Sequence, residues 1–423
     1  MTHHDMPSDP MPVDTHHANQ AAGLAKLRSL EGYLRADPGN TRLLIDAFDA
    51  ALLCGEWGQA ELHLRHGQAL DPQDLGWALR EADLWLAQSE FDRARDVLEP
   101  LAALLNPPSG FADAVLHDLA YIDFQRQDYA ACVARLSVRL ETTPNTQAEN
   151  GPVGPALQTL WLRALHRTVE LPRAIQWAHA QAAVDQLSAQ IAGIASLIAL
   201  DGGDVAAAQD WSSKATGTAL HNAEAPGSSI EALVTQASLA LAARDGPRAQ
   251  AFAASALQIN PGDGRAWSAH AFADLLSGQL DMARAHFSKA LAAMPEHIGT
   301  WHGQGWTQLL VRDLDAAQLS FETALALDRN FAESHGGLAV VLALKKRADQ
   351  AQNHVLLAMK LDKSNLSGRY AQAILSGETR ETEAFKQLAQ RLLGDRVAPL
   401  GGTMLEAVTQ SATKPLPAPR RKS

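Results

Sequence analysis

Four alanines, Ala249, Ala283, Ala317 and Ala351, stand 34 residues apart, and the positions around them recur in the same phase. Seven residues after each comes another alanine, at 256, 290, 324 and 358, and between them lie Ala253, Phe287, Phe321 and Val355. Upstream, Trp267 and Trp301 precede the small residues Ala271 and Gly305 by four positions, and Pro261 and Pro295 close two of the units. This period constrains the fold more than any other property of the chain. A unit this short cannot cover its own apolar face, so units have to stack on one another. Small residues recur where backbones cross closely, and a large residue fills the space beside them. Proline ends a helix because the residue before it is pushed out of the α region.

The arrangement W-x-x-x-small, A-x-x-x-F-x-x-A, P resembles the tetratricopeptide repeat, a helix-turn-helix unit of 34 residues. The resemblance implies an all-α chain, a right-handed superhelical solenoid in which the first helix of each unit lines a concave groove. Weaker copies extend toward the N-terminus, where Ala207, Ala174, Cys132, Ala94 and Ala60 take the place of Ala249. The extra residues fall between units, in 106–110, 146–155 and 212–229, all rich in turn formers. The expected organisation is a disordered segment over 1–21, divergent repeats over 22–229 and well-matched repeats over 230–363. A degenerate capping repeat over 364–394, with Ala384 and Leu388 in register, and a disordered tail of Pro and basic residues over 395–423 complete it. The second helix of a partial first unit is expected at about 22–37, ahead of Pro38.

Charge narrows the choice of partner. The 47 acidic residues outnumber the 36 basic ones, leaving a formal net charge of −11, which argues against nucleic acid and anionic lipid as partners. Cys54 and Cys132 are too few for a disulfide framework, and the N-terminal residues carry Asp5, Asp9 and Asp14 where an export signal would be basic and then apolar. The uncharged run between Asp185 and Asp201 is shorter than a membrane span requires and reads as a buried helix. A cytoplasmic protein without membrane insertion is the expectation.

No constellation for catalysis appears. The chain has no GxxxxGK[ST], HExxH or GxSxG motif and no metal-type cysteine cluster. Gly303-Gln304-Gly305 lacks the third glycine of a dinucleotide motif, since Gln308 stands there, and reads as a helix-packing feature. His63 and His66 share a helix face and read as a solvated pair, and His3, His4, His16 and His17 read as part of a flexible tail. Cys132 replaces a repeat alanine and reads as a packing thiol. No cofactor and no metal are implied.

What remains is a surface. In the resembled family, ligands lie against the second, fifth, sixth, ninth, twelfth and thirteenth positions of each unit. For the units opening at Gly264 and Ile298 these positions include Arg265, Phe272, Leu275, His302, Trp306 and Leu309, the candidate partner-binding residues. Phe272 and Trp306 share the ninth position of adjacent units, where they either anchor apolar side chains of a bound peptide or pad the groove. The corresponding N-terminal positions, with Arg42, Asp46, Asp49, Arg80 and Asp83, are polar. The lysine and asparagine set that clamps chaperone C-termini is missing, and so is the asparagine ladder at the sixth position, where Thr235, Ala269, Gly303 and Gly337 stand. The expected function is a non-catalytic scaffold or adaptor that binds a protein or peptide segment, a secretion or assembly chaperone being one form of it. The alternative is a regulatory or substrate-recruiting subunit of a separate enzyme such as a glycosyltransferase.

Overall fold

The computed structural model describes residues 14–104, 110–141, 152–217 and 229–378, with side chains from residue 22 onward. Among them are twenty helices and no strand. The chain divides into two compact units, residues 1–170 and 171–423. The first holds α1 (Asp14–Ala36), α2 (Thr41–Cys54), α3 (Trp57–Leu70), α4 (Leu75–Ala87), α5 (Phe91–Ala102), α6 (Phe111–Gln125), α7 (Tyr129–Leu140) and α8 (Pro155–Arg167). The second begins with α9 (Leu171–Ala183), α10 (Ala189–Asp201) and α11 (Val205–Thr216). It continues with the pairs α12 (Ile230–Ala242) and α13 (Gly246–Ile259), α14 (Gly264–Leu276) and α15 (Leu280–Ala293), and α16 (Ile298–Leu310) and α17 (Leu314–Leu327). The last pair is α18 (Ala332–Leu344) and α19 (Ala348–Leu361), followed by α20 (Leu366–Ser376).

Helix α1 starts at Asp14, ahead of the start at about residue 22 that the register suggests. Its sequence over 14–21 contains no proline or glycine, so nothing local stops the helix. The outer helix expected over 380–394, the tail over 395–423 and residues 1–13 lie outside the described residues.

The repeat alanines at 249, 283, 317 and 351, and those at 256, 290, 324 and 358, are all fully buried. Phe287 and Phe321 are fully buried with them. The turn within each pair is made by a left-handed residue, and here too the spacing is 34: Arg244, Gly278, Arg312 and Lys346 have φ of 57°, 73°, 66° and 61°. The next residue's N–H reaches back across the helix end, from Asp245 to the Ala240 carbonyl, Gln279 to Asp274, Asp313 to Gln308 and Arg347 to Leu342, each at 2.9 Å. That closure satisfies carbonyls the helix would otherwise leave open. Asp245 and Asp313 then cap the second helix, their carboxylates accepting from the N–H groups of Arg248 and Ala316 at 3.1 Å.

The link from one pair to the next is held by a side chain at a single register position. Trp267 and Trp301 donate their indole N–H to the carbonyls of Pro261 and Pro295, at 2.8 and 2.7 Å. In the next units His335 and Arg369 take that place, with His335 Nε2 at 3.0 Å from the Arg329 carbonyl and Arg369 donating to Lys363 at 2.8 Å. Tryptophan recurs here because it covers apolar surface and carries a donor at its edge. No helix among the described residues is long and apolar enough to cross a membrane.

Candidate functional site

Within the second unit, α12, α14, α16, α18 and α20 each touch the next of their kind, whereas among the described residues the second helices of neighbouring pairs make no comparable packing. The first helices therefore line the tighter, inner side of the stack. On α14 the residues Phe272, Leu275 and Leu276 fall at i, i+3 and i+4, which places them on one stripe of the helix. On α16 the same stripe is Trp306, Leu309 and Leu310. Leu276 is 47% exposed and Leu310 55% exposed, in equivalent positions.

Phe272 and Trp306 are half-buried. Phe272 meets Phe287 edge to face with ring centres 4.9 Å apart, and Trp306 meets Phe321 in the same way at 5.6 Å. Each ring thus leans on a core phenyl of its own pair. Leu275 and Leu309 pack against the same clusters. Arg265 makes a two-pronged contact with Asp201 of α10, at 3.2 and 2.9 Å, so its charge is matched within the protein.

His302 lies elsewhere. It is 8% exposed, set between Phe321 and Phe331, and its Nε2 is 2.7 Å from the Ser334 hydroxyl of the next first helix. Burial lowers its pKa to about 4, so the ring is neutral in neutral water. The fifth position of the preceding unit does the same, Ser268 meeting Thr300 at 3.0 Å. Fifth-position side chains therefore tie successive first helices together, a role that spacing alone does not distinguish from facing the groove.

The first unit presents a different face. Arg42 lies 3.5 Å from Asp46 and Arg80 3.9 Å from Asp49. Asp83 is pushed up to about 6, chiefly by burial and then by the Asp118 carboxylate. His63 departs from the solvated pair suggested by its spacing: it is buried 3.7 Å from Glu31, and burial lowers its pKa, while His66 is exposed. The helix α1 covers that face, which the α3 sequence alone does not reveal. Cys132 is fully buried and its thiol is pushed up to about 12, first by burial and then by Asp123, which leaves it inert as a nucleophile.

No family model matches the chain, and no curated protein matches it. Among solved structures, that of an IFIT1 monomeric mutant with m7Gppp-AAAA aligns over 87% of this chain and 90% of its own, with a TM-score of 0.51 at 13% identity. YrrB, described as a TPR protein with an unusual peptide-binding site, aligns over 46% of this chain and 96% of its own, with a TM-score of 0.32 at 18% identity. MamA aligns over 39% and 92%, with a TM-score of 0.32 at 13% identity. The 34-residue helix pairs, their recurrent small and large core positions and the first of these likenesses agree: by fold, the chain is a tetratricopeptide-type helical-repeat protein.

Proposed function

We propose that the chain is a non-catalytic scaffold or adaptor that holds an extended segment of a partner protein against α14 and α16. The observation that carries this reading is the stripe of Phe272, Leu275 and Leu276 repeated as Trp306, Leu309 and Leu310, with the outermost leucine of each half exposed. Aromatic and leucine side chains repeated along a groove suit the apolar side chains of a peptide, and Arg265 at the start of α14 bounds the stripe. A phosphate backbone would call for unmatched cations, whereas Arg265 is already paired with Asp201. His302 contributes by holding α16 against α18 rather than by touching the ligand.

The test is to select binders from a library of random peptides and measure their affinity for the full chain by fluorescence anisotropy. Phe272→Ala with Trp306→Ala should weaken binding by about 2–4 kcal/mol, the range for anchoring aromatics. Because both rings lean on core phenyls, the exposed pair Leu276→Ser with Leu310→Ser supplies a variant that spares the core and should also weaken binding. Phe287→Ala is the control for general destabilisation. Selected peptides that bind all the folded variants equally would sink the reading, as would a chain that retains no peptide from the library but binds random-sequence RNA in the same anisotropy assay.

A further inference from the structure

Twelve residues separate Asp123 from Arg135, Asp274 from His286 and Gln308 from Ser320, and in each case the first lies on the first helix of a pair and faces the second on its partner helix. Asp123 is buried and fully matched by cations: Arg135 approaches one carboxylate oxygen at 2.8 Å, and Arg95 from the preceding pair approaches the other at 2.6 Å. Asp274 is buried still more deeply, at 1% exposure, in the same place, but no guanidinium among the described residues pairs with it. Gln250, which occupies the register position of Arg95, donates to its Oδ1 at 3.5 Å. Its ion-pair partners among the described residues are two imidazoles: His286 Nδ1 at 2.7 Å and His270 Nδ1 at 3.3 Å, both toward Oδ2.

The three side chains converge. His270 and Asp274 are one turn apart on α14, and His286 projects from α15. One donor atom from each lies within 4.8 Å of the other two. The imidazole rings meet edge to face with centres 4.5 Å apart, and Trp267 lies against His286 at 4.9 Å. Donors at about 2.0–2.2 Å from a tetrahedral zinc stand roughly 3.3 Å from one another, so small side-chain adjustments suffice. His286 is 8% exposed, and the His270 side chain keeps 14% of its surface, which leaves a path from solvent.

The geometry points to a divalent transition-metal site formed by His270, Asp274 and His286, with zinc as the ion its two imidazoles and one carboxylate suit. A cation there supplies the positive charge that Arg95 and Arg135 supply to Asp123, and it clasps α14 to α15. Two nitrogens and one oxygen leave a coordination position for water or for a donor from outside the chain. The site is independent of the proposed groove.

The experiment uses the metal-free full chain carrying His3→Gln, His4→Gln, His16→Gln and His17→Gln, which removes the N-terminal histidines as competing ligands. Titration with zinc chloride by calorimetry should show one ion bound per chain, and cobalt(II) in its place should give the visible bands of a tetrahedral site. Asp274→Asn and His286→Gln should each weaken zinc binding by about 100-fold or more, at or beyond the upper end of what loss of an outer-sphere partner costs. His270→Gln, at the solvent side, carries the test where the buried substitutions unfold the chain by circular dichroism. Absence of bound zinc overturns the assignment, and so does binding that His270→Gln leaves unchanged. Zinc lost on His354→Gln instead would place the ion at the His335 and His354 rings, whose Nδ1 atoms are 3.0 Å apart, and would equally overturn it.

Discussion

Gly337 lies directly against the ring of Phe321: a Cβ at 337 would sit 2.6 Å from Cδ1 and 2.7 Å from Cζ. Gly303 stands in the same relation to Phe287, and there Phe272 Cζ would also be met at 2.8 Å. Both glycines lie sixteen residues after the phenylalanine, and the other two units place Ala269 after Ala253 and Ala371 after Val355. The size of the second-helix residue and that of the next first-helix residue thus offset each other along the stack.

The pairing predicts coupling. Gly337→Ala should cost about 1–3 kcal/mol through overpacking, and Phe321→Ala about 3–5 kcal/mol through the cavity it leaves. Combined, they should cost less than the sum by roughly 0.5–3 kcal/mol, because the new methyl group enters the vacated space. Urea denaturation of the four proteins checks this, and strict additivity would contradict it.

His302 gives the stack a dependence on acid. Its folded pKa of about 4 lies below the ordinary 6.5, so the unfolded chain binds more protons between these values. Stability from this group is therefore complete above about pH 6.5, falls as the pH drops through the window, and levels off below about 4. Replacement by glutamine, which can still reach Ser334, should make the loss of stability between pH 6.5 and 4.5 shallower. His63, His297 and His354 are lowered by burial as well, so the slope should shrink rather than vanish. Equal slopes in parent and variant would show that His302 is not buried as a neutral ring.

Arg312 adopts φ of 66° where Gly278 stands in the preceding unit. A non-glycine residue in the left-handed region costs about 1–2 kcal/mol, partly offset by the extra freedom glycine has when unfolded. Arg312→Gly should stabilise the chain by about 0.5–1 kcal/mol in thermal or urea unfolding. A destabilised variant would mean that the arginine side chain contributes more than its backbone costs.

These turns also mark where the sequence was legible. The phase of the alanines, Phe287 and Phe321 located the helix pairs, because close packing leaves little choice of residue at a crossing. The left-handed residues at 244, 312 and 346 carry arginine or lysine, so composition gave no sign of them; only the spacing from Gly278 points there. On the first helices, register put Phe272 and Trp306 at equivalent positions, each against a core phenyl, but it did not set His302 and Ser268 apart from them, since residues that meet a neighbouring unit share that helical stripe. His270, Asp274 and His286 share no short motif, because they stand on two helices; the spacing of twelve that joins Asp274 to His286 also joins Asp123 to Arg135.

The Asp123 carboxylate joins three helices, receiving Arg95 from α5 and Arg135 from α7 while it stands on α6. Taking charges out of water is costly, and the attraction among the three groups offsets that cost only while all are present. Asp123→Ala leaves two partly buried guanidiniums facing each other and should destabilise the chain by about 3–5 kcal/mol. Replacing all three by apolar residues, Asp123→Leu with Arg95→Met and Arg135→Leu, removes the desolvation cost together with the attraction and should restore most of that loss. Asp92, exposed and paired with Arg126, is the control: its removal should matter little, and less still in high salt. Chemical denaturation of the single, triple and control variants at two salt concentrations decides the point. A triple variant as unstable as Asp123→Ala would show that the side chains hold the helices by shape and not by charge.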